Sequence, residues 1–137
     1  MTLVLDASLT LASILRDETT EAAQAIMRRV AEEGAHVPSL WRLEVANVLR
    51  SAVRRNRCTQ TFVDEALWNL EAMSIVIDAE TDTHAWGATL AISRAENLTV
   101  YDAAYLELAI RLGATLVSCD RQLVAAARQR GVDVLTV

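Results

Sequence analysis

Short apolar runs alternate with longer helical segments along the whole chain. The predicted strands cover residues 2–5, 35–37, 74–77, 114–118 and 132–137. The predicted helices cover residues 7–16, 21–33, 39–56, 59–73, 82–96 and 99–113, and a further helix ends at Arg130–Gly131. Because the strands are apolar runs without alternation, they are typical of a parallel sheet covered on both faces. The pattern therefore predicts an α/β fold.

Two hydroxyl residues mark predicted helix starts. Ser39 precedes the helix that extends to about Asn56, and Thr59 precedes the next one. Serine and threonine are favoured at this position because their side-chain oxygen accepts a bond from the first free backbone N–H groups.

The composition is that of an ordered, folded chain. Of its 137 residues, 53% are hydrophobic and 23% are charged. Such a chain is not intrinsically disordered, and its length predicts one domain over residues 1–137.

No apolar run approaches the ~20 residues of a membrane span, and the N-terminus lacks the basic start of a signal peptide. Cys58 and Cys119 form no CxxC motif. We therefore expect no disulfide framework, no thiolate zinc site and a cytoplasmic location.

The charge balance argues against a strongly basic nucleic-acid-binding protein. The net charge is −5, with 18 acidic residues against 13 basic residues, all of them arginine. The only histidines, His36 and His84, lie in no HExxH motif. Catalysis centred on histidine is accordingly not expected.

Two acidic residues follow predicted strands. Asp6 comes directly after the first strand, and Asp120 follows the fourth strand after a single cysteine. In parallel sheets, ligands bind at the carboxyl ends of the strands, near the point where the strand order reverses. Each residue also precedes a helix, so the alternative is that it serves only as a helix cap.

Two further acidic residues lie on helices. Glu44 shares a narrow stripe with Asn47 in a helix that is otherwise largely apolar, and an unpaired buried acid is costly. The alternative is a solvated stripe. Asp102 lies in a helix that is apolar almost all round. The alternative there is a capping box, since Thr99 and Asp102 match the pattern [ST]-x-x-[DE].

An α/β fold can bring these four acids together. Carboxylates at close range repel one another unless cations neutralise them. Hard divalent ions such as Mg²⁺ prefer oxygen ligands, and one or two of them suit three or four carboxylates. This donor set supports in-line displacement at phosphorus.

Several stretches of the chain resemble the PIN-domain ribonucleases, most closely the VapC-type toxins of bacterial toxin–antitoxin pairs. These stretches are LVLDASLTLA (3–12), PSLWRLEVANVL (38–49), LTVYDAAYLELAIRLGATLVSCD (98–120) and LVAAARQRGVDVL (123–135). The resemblance implies a three-layer α/β/α sandwich around a parallel sheet of four to five strands. It also implies a Mg²⁺- or Mn²⁺-dependent endoribonuclease, with one or two ions, in which a metal-activated water attacks the phosphodiester and leaves a 5′-phosphate and a 3′-hydroxyl.

The resemblance also assigns residues and partners. The catalytic and metal-binding acids fall on Asp6, Glu44, Asp102 and Asp120, and the supporting residues are Ser8, Asn47 and Ser118. Ser118 stands where many relatives carry threonine, and this exchange keeps the hydroxyl group. The implied partners are an RNA substrate such as tRNA or another structured RNA, a VapB-like antitoxin whose tail enters the active-site groove, and a second copy in a homodimer.

Arginines and tryptophans provide candidate RNA contacts. Arg50, Arg54, Arg55 and Arg57 form a basic cluster late in the Glu44 helix, and Arg121 follows Asp120. Arginine binds phosphate bidentately, but a solvated helix end is the alternative for the cluster. Trp41, Trp68 and Trp86 either stack on bases or belong to the core or an interface. Trp68, Phe62 and Leu67 are predicted to share an apolar groove for the antitoxin.

Two other classes of function remain open on the residues alone. In a non-catalytic α/β protein-binding module, the acids would act as helix caps. A metal-dependent phosphatase or DNase would use the same acidic site, since these enzymes also act at phosphorus.

Overall fold

Five parallel strands form one sheet in the computed structural model, which describes residues 1–137. The strands are β1 (Leu3–Leu5), β2 (Ala35–Val37), β3 (Ile75–Ile77), β4 (Thr115–Val117) and β5 (Val134–Leu135). Their order across the sheet is β3-β2-β1-β4-β5. All five predicted strands are present, although most are shorter than the apolar runs from which they were predicted.

Eight α-helices connect and follow these strands. They are α1 (Ala7–Ile14), α2 (Glu21–Glu33), α3 (Trp41–Arg54), α4 (Gln60–Glu71), α5 (Thr81–His84), α6 (Leu90–Glu96), α7 (Val100–Leu112) and α8 (Arg121–Gln129). A π-helical turn, Ala85–Thr89, joins α5 to α6. No helix combines the length and the apolar character that crossing a bilayer requires.

The strand order places helices on both faces of the sheet. The chain moves outward in one direction from β1 to β3, and then crosses back to β4 and continues to β5. Because parallel crossovers are right-handed, α1–α4 cover one face and α5–α8 cover the other. The predicted three-layer α/β/α sandwich is confirmed, with five strands.

The structure corrects two of the predicted helices. The helix predicted from Ser39 begins at Trp41, whose N–H donates to the carbonyl of Pro38, and Ser39 provides no cap. The Ser39 N–H instead donates to the hydroxyl of Thr81, 3.1 Å away. The helix predicted over residues 82–96 is broken at Gly87, whose φ of −105° and ψ of −107° are not helical. Glycine tolerates this conformation because it has no Cβ atom.

Several predicted helix ends are confirmed. The hydroxyl groups of Thr59 and Thr99 accept bonds from backbone N–H groups three residues later, as N-caps do. Gly113 ends α7 in the left-handed conformation, with φ +60°.

The centre of the sheet positions the residues that follow it. Strands β1 and β4 are fully buried, and Leu5 pairs with Val117. The next backbone bond continues this pairing past the end of β1, since the N–H of Asp6 donates to the carbonyl of Val117 at 2.9 Å. The reversal of strand order therefore lies between β1 and β4, with Asp6 at its edge.

A glycine at the end of α2 is required by the backbone. Gly34 has φ +75° and ψ 175°, a region that residues with a Cβ atom rarely adopt. An added Cβ would also lie 2.9 Å from the carbonyl oxygen of Ser74. Gly131 has a similar φ of +71° but nothing within 4 Å of its Cβ position.

We expect Gly34→Ala to lower the free energy of unfolding by about 3 kcal/mol or more, because it combines backbone strain with a clash. Gly131→Ala is the matched control, and it should cost only about 1 kcal/mol. Urea denaturation followed by circular dichroism measures both. Equal losses for the two variants would contradict the close approach at Ser74.

Candidate active site

Asp6 is the most deeply buried of the four predicted acids, with 3% of its surface exposed. Its carboxylate oxygen Oδ2 accepts hydrogen bonds from the hydroxyl groups of Ser8 and Ser118, the latter at 2.7 Å. The side chain makes no capping bond to α1. The helix-cap alternative is therefore wrong for Asp6, and its carboxylate is available for another role.

The two serines tie the loop after β4 to the start of α1. The N–H of Cys119 donates to the Ser8 hydroxyl oxygen at 3.2 Å, and the N–H of Asp120 donates to that of Ser118 at 3.1 Å. Each hydroxyl thus accepts one backbone bond and donates to Asp6. This arrangement holds one oxygen of Asp6 and leaves Oδ1 without a protein hydrogen bond.

Asp120 acts as the N-cap of α8. Its Oδ1 accepts a bond from the N–H of Leu123 at 2.9 Å, so the capping alternative is confirmed for this residue. The other oxygen, Oδ2, has no protein partner. Capping fixes the direction of the carboxylate, and the residue remains half-buried beside Asp6.

Asp102 lies in the first turn of α7. Thr99 supplies the cap of this helix, and its hydroxyl oxygen accepts a bond from the backbone N–H of Asp102 at 3.1 Å. Burial, followed by the charges of Asp120 and Asp6, raises the pKa of Asp102 to about 6. Because the charges of Asp120 and Asp6 act on Asp102, these three predicted acids lie near one another.

Glu44 is the fourth member of the cluster. The core-facing side of α3 carries Trp41, Val45, Leu49 and Ala52, and Glu44 lies half-buried at the margin of this face. The hydroxyl group of Tyr105 donates to Glu44 Oε1 at 2.6 Å. Asn47, one turn after Glu44 on α3, is exposed and makes no side-chain hydrogen bond within the protein, so its supporting role stays a prediction.

The pKa values show that the four carboxylates interact. Burial is the main cause that raises the pKa of Asp6 and of Glu44. The charges of Glu44 and Asp120 raise the pKa of Asp6 further, and that of Asp102 raises the pKa of Glu44. None of the four forms an ion pair with an arginine. The fold therefore concentrates uncompensated negative charge at one edge of the sheet.

The chemistry of this donor set fits a hard divalent cation. Asp6 Oδ1, Glu44 Oε2 and Asp120 Oδ2 are all free of protein hydrogen bonds, so each has an oxygen to offer. No three His, Cys, Asp or Glu side chains stand close enough to hold one ion between them. Mg²⁺ commonly binds through one or two carboxylates and keeps several waters, so it does not require such a cage.

The basic cluster on α3 divides into free and paired arginines. Arg57 is paired with Asp17 and Glu18, at 2.8 Å and 2.6 Å. Arg50, Arg54 and Arg55 are exposed and form no ion pair, and the same is true of Arg121 at the start of α8. Four of the arginines predicted to contact phosphate are thus unpaired, whereas Arg57 has a structural role.

The tryptophans differ in their surroundings. Trp41 belongs to the core, and its indole N–H donates to the Thr10 hydroxyl oxygen at 3.1 Å. Trp68 and Trp86 are 78% and 93% exposed. Leu67 lines a depression of about 380 Å³ between α3 and α4, whereas Phe62 lines other depressions. An apolar groove for the antitoxin that includes Trp68, Phe62 and Leu67 stays a prediction.

Sequence reasoning did not identify Tyr105 as a site residue. It lies three residues after Asp102, and this spacing places both on one face of α7. That signal was present in the sequence, but an apolar helix gives no reason to expect that the tyrosine hydroxyl reaches α3.

Comparison with known protein families matches residues 3–129 to the PIN domain. The chain belongs to the PIN-domain family. Ribonuclease VapC3 of Pyrobaculum aerophilum is 34% identical to this PIN domain over 127 residues, which cover 90% of this chain and 92% of the relative. Ribonuclease VapC12 of Mycobacterium tuberculosis (strain CDC 1551) is 32% identical over 126 residues, which cover 88% of each chain.

Solved structures support the same fold for this PIN domain. The crystal structure of PAE2754 from Pyrobaculum aerophilum matches with a TM-score of 0.71 at 22% identity, over 98% of this chain and 90% of that one. VapBC2 from Rickettsia felis, solved bound to a DNA fragment from its promoter, matches with a TM-score of 0.64 at 15% identity, over 100% and 99%. The expected family resemblance is confirmed.

The raised pKa of Asp102 has a consequence for stability. Between its ordinary value of 3.8 and its folded value of about 6, the folded state binds the proton and the unfolded state does not. The stability contribution of this group therefore falls as the pH rises through that window, and the ionised carboxylate destabilises the fold at pH 7.

We expect Asp102→Asn in EDTA to raise the free energy of unfolding at pH 7 by about 1 kcal/mol, a value reduced for solvent screening of a half-exposed group. The difference should vanish below about pH 3, where the carboxyl group is protonated in both states. Urea denaturation at both pH values measures it, with the exposed Asp133→Asn as control. A destabilised Asp102→Asn at pH 7 would contradict the repulsion.

Proposed function

We propose that this PIN domain is a metal-dependent endoribonuclease toxin that hydrolyses RNA phosphodiester bonds and is neutralised by a VapB-like antitoxin. The observation that carries the proposal is the group of four mutually repelling carboxylates at the reversal of strand order, none of them paired with an arginine. The names of the relatives, both ribonucleases of the VapC type, support RNA as the substrate.

Asp6, Glu44 and Asp102 would supply the ligands for Mg²⁺ or Mn²⁺, with no more than two of them bound directly to one ion and the rest acting through its waters. Asp120 would complete the site directly or through water. Such an ion supplies a water of lowered pKa and neutralises charge on the attacking and leaving oxygens. We propose that the site takes one or two such ions.

The protein's own groups prepare this arrangement. Ser8 and Ser118 donate to Asp6 Oδ2, so they keep the carboxylate from rotating and leave Oδ1 open. The cap formed with Leu123 fixes Asp120 in the same way. Because these donors are neutral, they orient the acids without cancelling the negative charge that attracts a cation.

The free arginines would receive the RNA backbone. Arg54 and Arg55 end the helix that carries Glu44, about 15 Å from it along the helix axis at 1.5 Å per residue. This distance corresponds to a few nucleotides of extended RNA. A strand that reaches the acidic site could therefore contact these side chains through its phosphates, as Arg121 could beside Asp120.

Similar structures support the proposed antitoxin partner. Two related structures carry names of toxin–antitoxin type, VapBC2 from Rickettsia felis and FitAcB from Neisseria gonorrhoeae, the latter with a TM-score of 0.53 at 17% identity. We propose a VapB-like antitoxin whose tail enters the active-site groove, and a homodimer of the toxin. Co-expression with the antitoxin should abolish cleavage, and light scattering should give the mass of two chains.

Purified protein without antitoxin should cleave structured RNA such as tRNA in Mg²⁺ or Mn²⁺, and EDTA should stop the reaction. We expect Asp6→Asn to reduce the rate about 100-fold or more, because it removes a ligand of the cation that would stabilise charge in the transition state. Asp133→Asn, an exposed acid without an ion pair, is the matched control and should retain full activity. Gel analysis of end-labelled tRNA measures the rates. Equal rates for Asp6→Asn and the wild-type protein would exclude the proposed site.

We expect the double variant Arg54→Ala/Arg55→Ala to bind single-stranded RNA more weakly, with a smaller salt dependence. Each lost phosphate contact should reduce the slope of log K against log salt by about 0.7. Fluorescence anisotropy in an Asp6→Asn background measures binding without cleavage. The control is Arg28→Ala, another unpaired arginine but on α2. An unchanged slope in the double variant would show that the α3 cluster is only a solvated helix end.

A further inference from the structure

Tyr105 brings a polar group from the core to the acidic cluster. Its side chain is 0% exposed, and it is among the largest fully buried residues of the molecule. The hydroxyl donates to Glu44 Oε1 at 2.6 Å. A buried tyrosine hydroxyl requires such a partner, because burial without a hydrogen bond is costly.

The geometry links two helices on opposite faces of the sheet. Tyr105 and Asp102 lie three residues apart on α7, whereas Glu44 lies on α3. One rigid helix face therefore carries one acid directly and holds a second acid through an aromatic ring. Burial and the hydrogen bond to Glu44 raise the pKa of Tyr105, and the charges of Glu44 and Asp6 raise it further, so its hydroxyl lies close to two members of the cluster.

Glu44 needs a partner to remain in this position. Its side chain is half-exposed and flexible, so fixing it costs conformational entropy. Burial is the main cause that raises the pKa of Glu44, and the charge of Asp102, which also repels the carboxylate, raises it further. Without a donor from the core, the carboxylate would gain both freedom and distance from Asp102 by turning towards solvent. No other side chain donates a hydrogen bond to Glu44.

We propose that Tyr105 is a positioning residue that holds Glu44 Oε1, so that Oε2 stays directed to the acidic cluster and available to a divalent cation. The inference rests on the proposed function, because the position of Glu44 matters only if the acidic cluster binds a cation for RNA cleavage. Tyr105 itself touches neither the cation nor the RNA.

The test compares Mn²⁺ binding by titration calorimetry for the wild-type protein, Tyr105→Phe, Glu44→Gln and the double variant. We expect Tyr105→Phe to weaken Mn²⁺ binding about 10-fold, as loss of a group that orients a metal ligand commonly does. The double variant should bind no more weakly than Glu44→Gln alone, because the hydroxyl acts only through the glutamate. A purely structural role would lower stability without this dependence on Glu44.

Steady-state cleavage gives a second readout. Tyr105→Phe should lower kcat for RNA cleavage and leave KM for RNA nearly unchanged, since no RNA contact is removed. Tyr101→Phe is the matched control: that tyrosine is 64% exposed, its hydroxyl makes no hydrogen bond, and its loss should leave Mn²⁺ binding unchanged. If Tyr105→Phe does not fold, Glu44→Asp serves instead, because a side chain shorter by one methylene withdraws the carboxylate from Tyr105 and should give the same 10-fold loss.

The outcomes separate the two proposals. Wild-type protein that neither binds Mn²⁺ nor cleaves RNA would overturn the proposed function and this inference with it. Wild-type protein that does both, while Tyr105→Phe and Glu44→Asp bind Mn²⁺ with wild-type affinity, would overturn only the role of Tyr105. Equal additional weakening by Tyr105→Phe in the wild-type and Glu44→Gln backgrounds would also overturn it.

Discussion

Repulsion among four carboxylates at the carboxyl edge of the sheet is the constraint on which the local structure depends. Burial and mutual charge raise the pKa of Asp6, Glu44 and Asp102, and no arginine relieves them. Neutral donors hold three of the acids in place instead: two serine hydroxyls at Asp6, a tyrosine hydroxyl at Glu44 and a backbone N–H at Asp120. The fold supplies orientation while leaving the charge uncompensated.

Another acid at the same sheet edge shows the contrast. Asp78 directly follows β3, as Asp6 follows β1, but Arg111 binds its carboxylate at 2.7 Å and 3.1 Å. This pairing lowers the pKa of Asp78, whereas burial raises that of Asp6. Arg111 also bonds the buried Glu107, so the paired acids connect the end of β3 to α7. Asp78 is thus neutralised by an arginine, and the acids of the cluster are not.

The fold was largely predictable from the sequence because its signals are local. Apolar runs marked all five strands, and threonine caps and a glycine marked the ends of α4 and α7. The errors arose at helix boundaries and breaks, which the local pattern does not define. Ser39 does not cap α3 because the helix begins at Trp41, so that Leu40 occupies the N-cap position, and a continuous helical pattern concealed the break at Gly87.

The site was predictable in its residues but not in its contacts. Strand ends and helix stripes singled out the four acids, and the family resemblance added Ser8 and Ser118. Only the tertiary structure shows that Asp6 is bound by two hydroxyls instead of capping α1, or that Asn47 makes no side-chain hydrogen bond. The bond between Tyr105 and Glu44 joins residues 61 positions apart in the chain, so no local pattern could indicate it.

Anomalous diffraction from crystals soaked in Mn²⁺ tests most directly whether the uncompensated acids form a cation site. The account predicts an anomalous peak between Asp6 and at least one of Glu44 and Asp102, which disappears in Asp6→Asn crystals soaked in the same way. Crystals of the wild-type protein without a peak at these residues, or with a peak only at Asp78 and other surface acids, would contradict it.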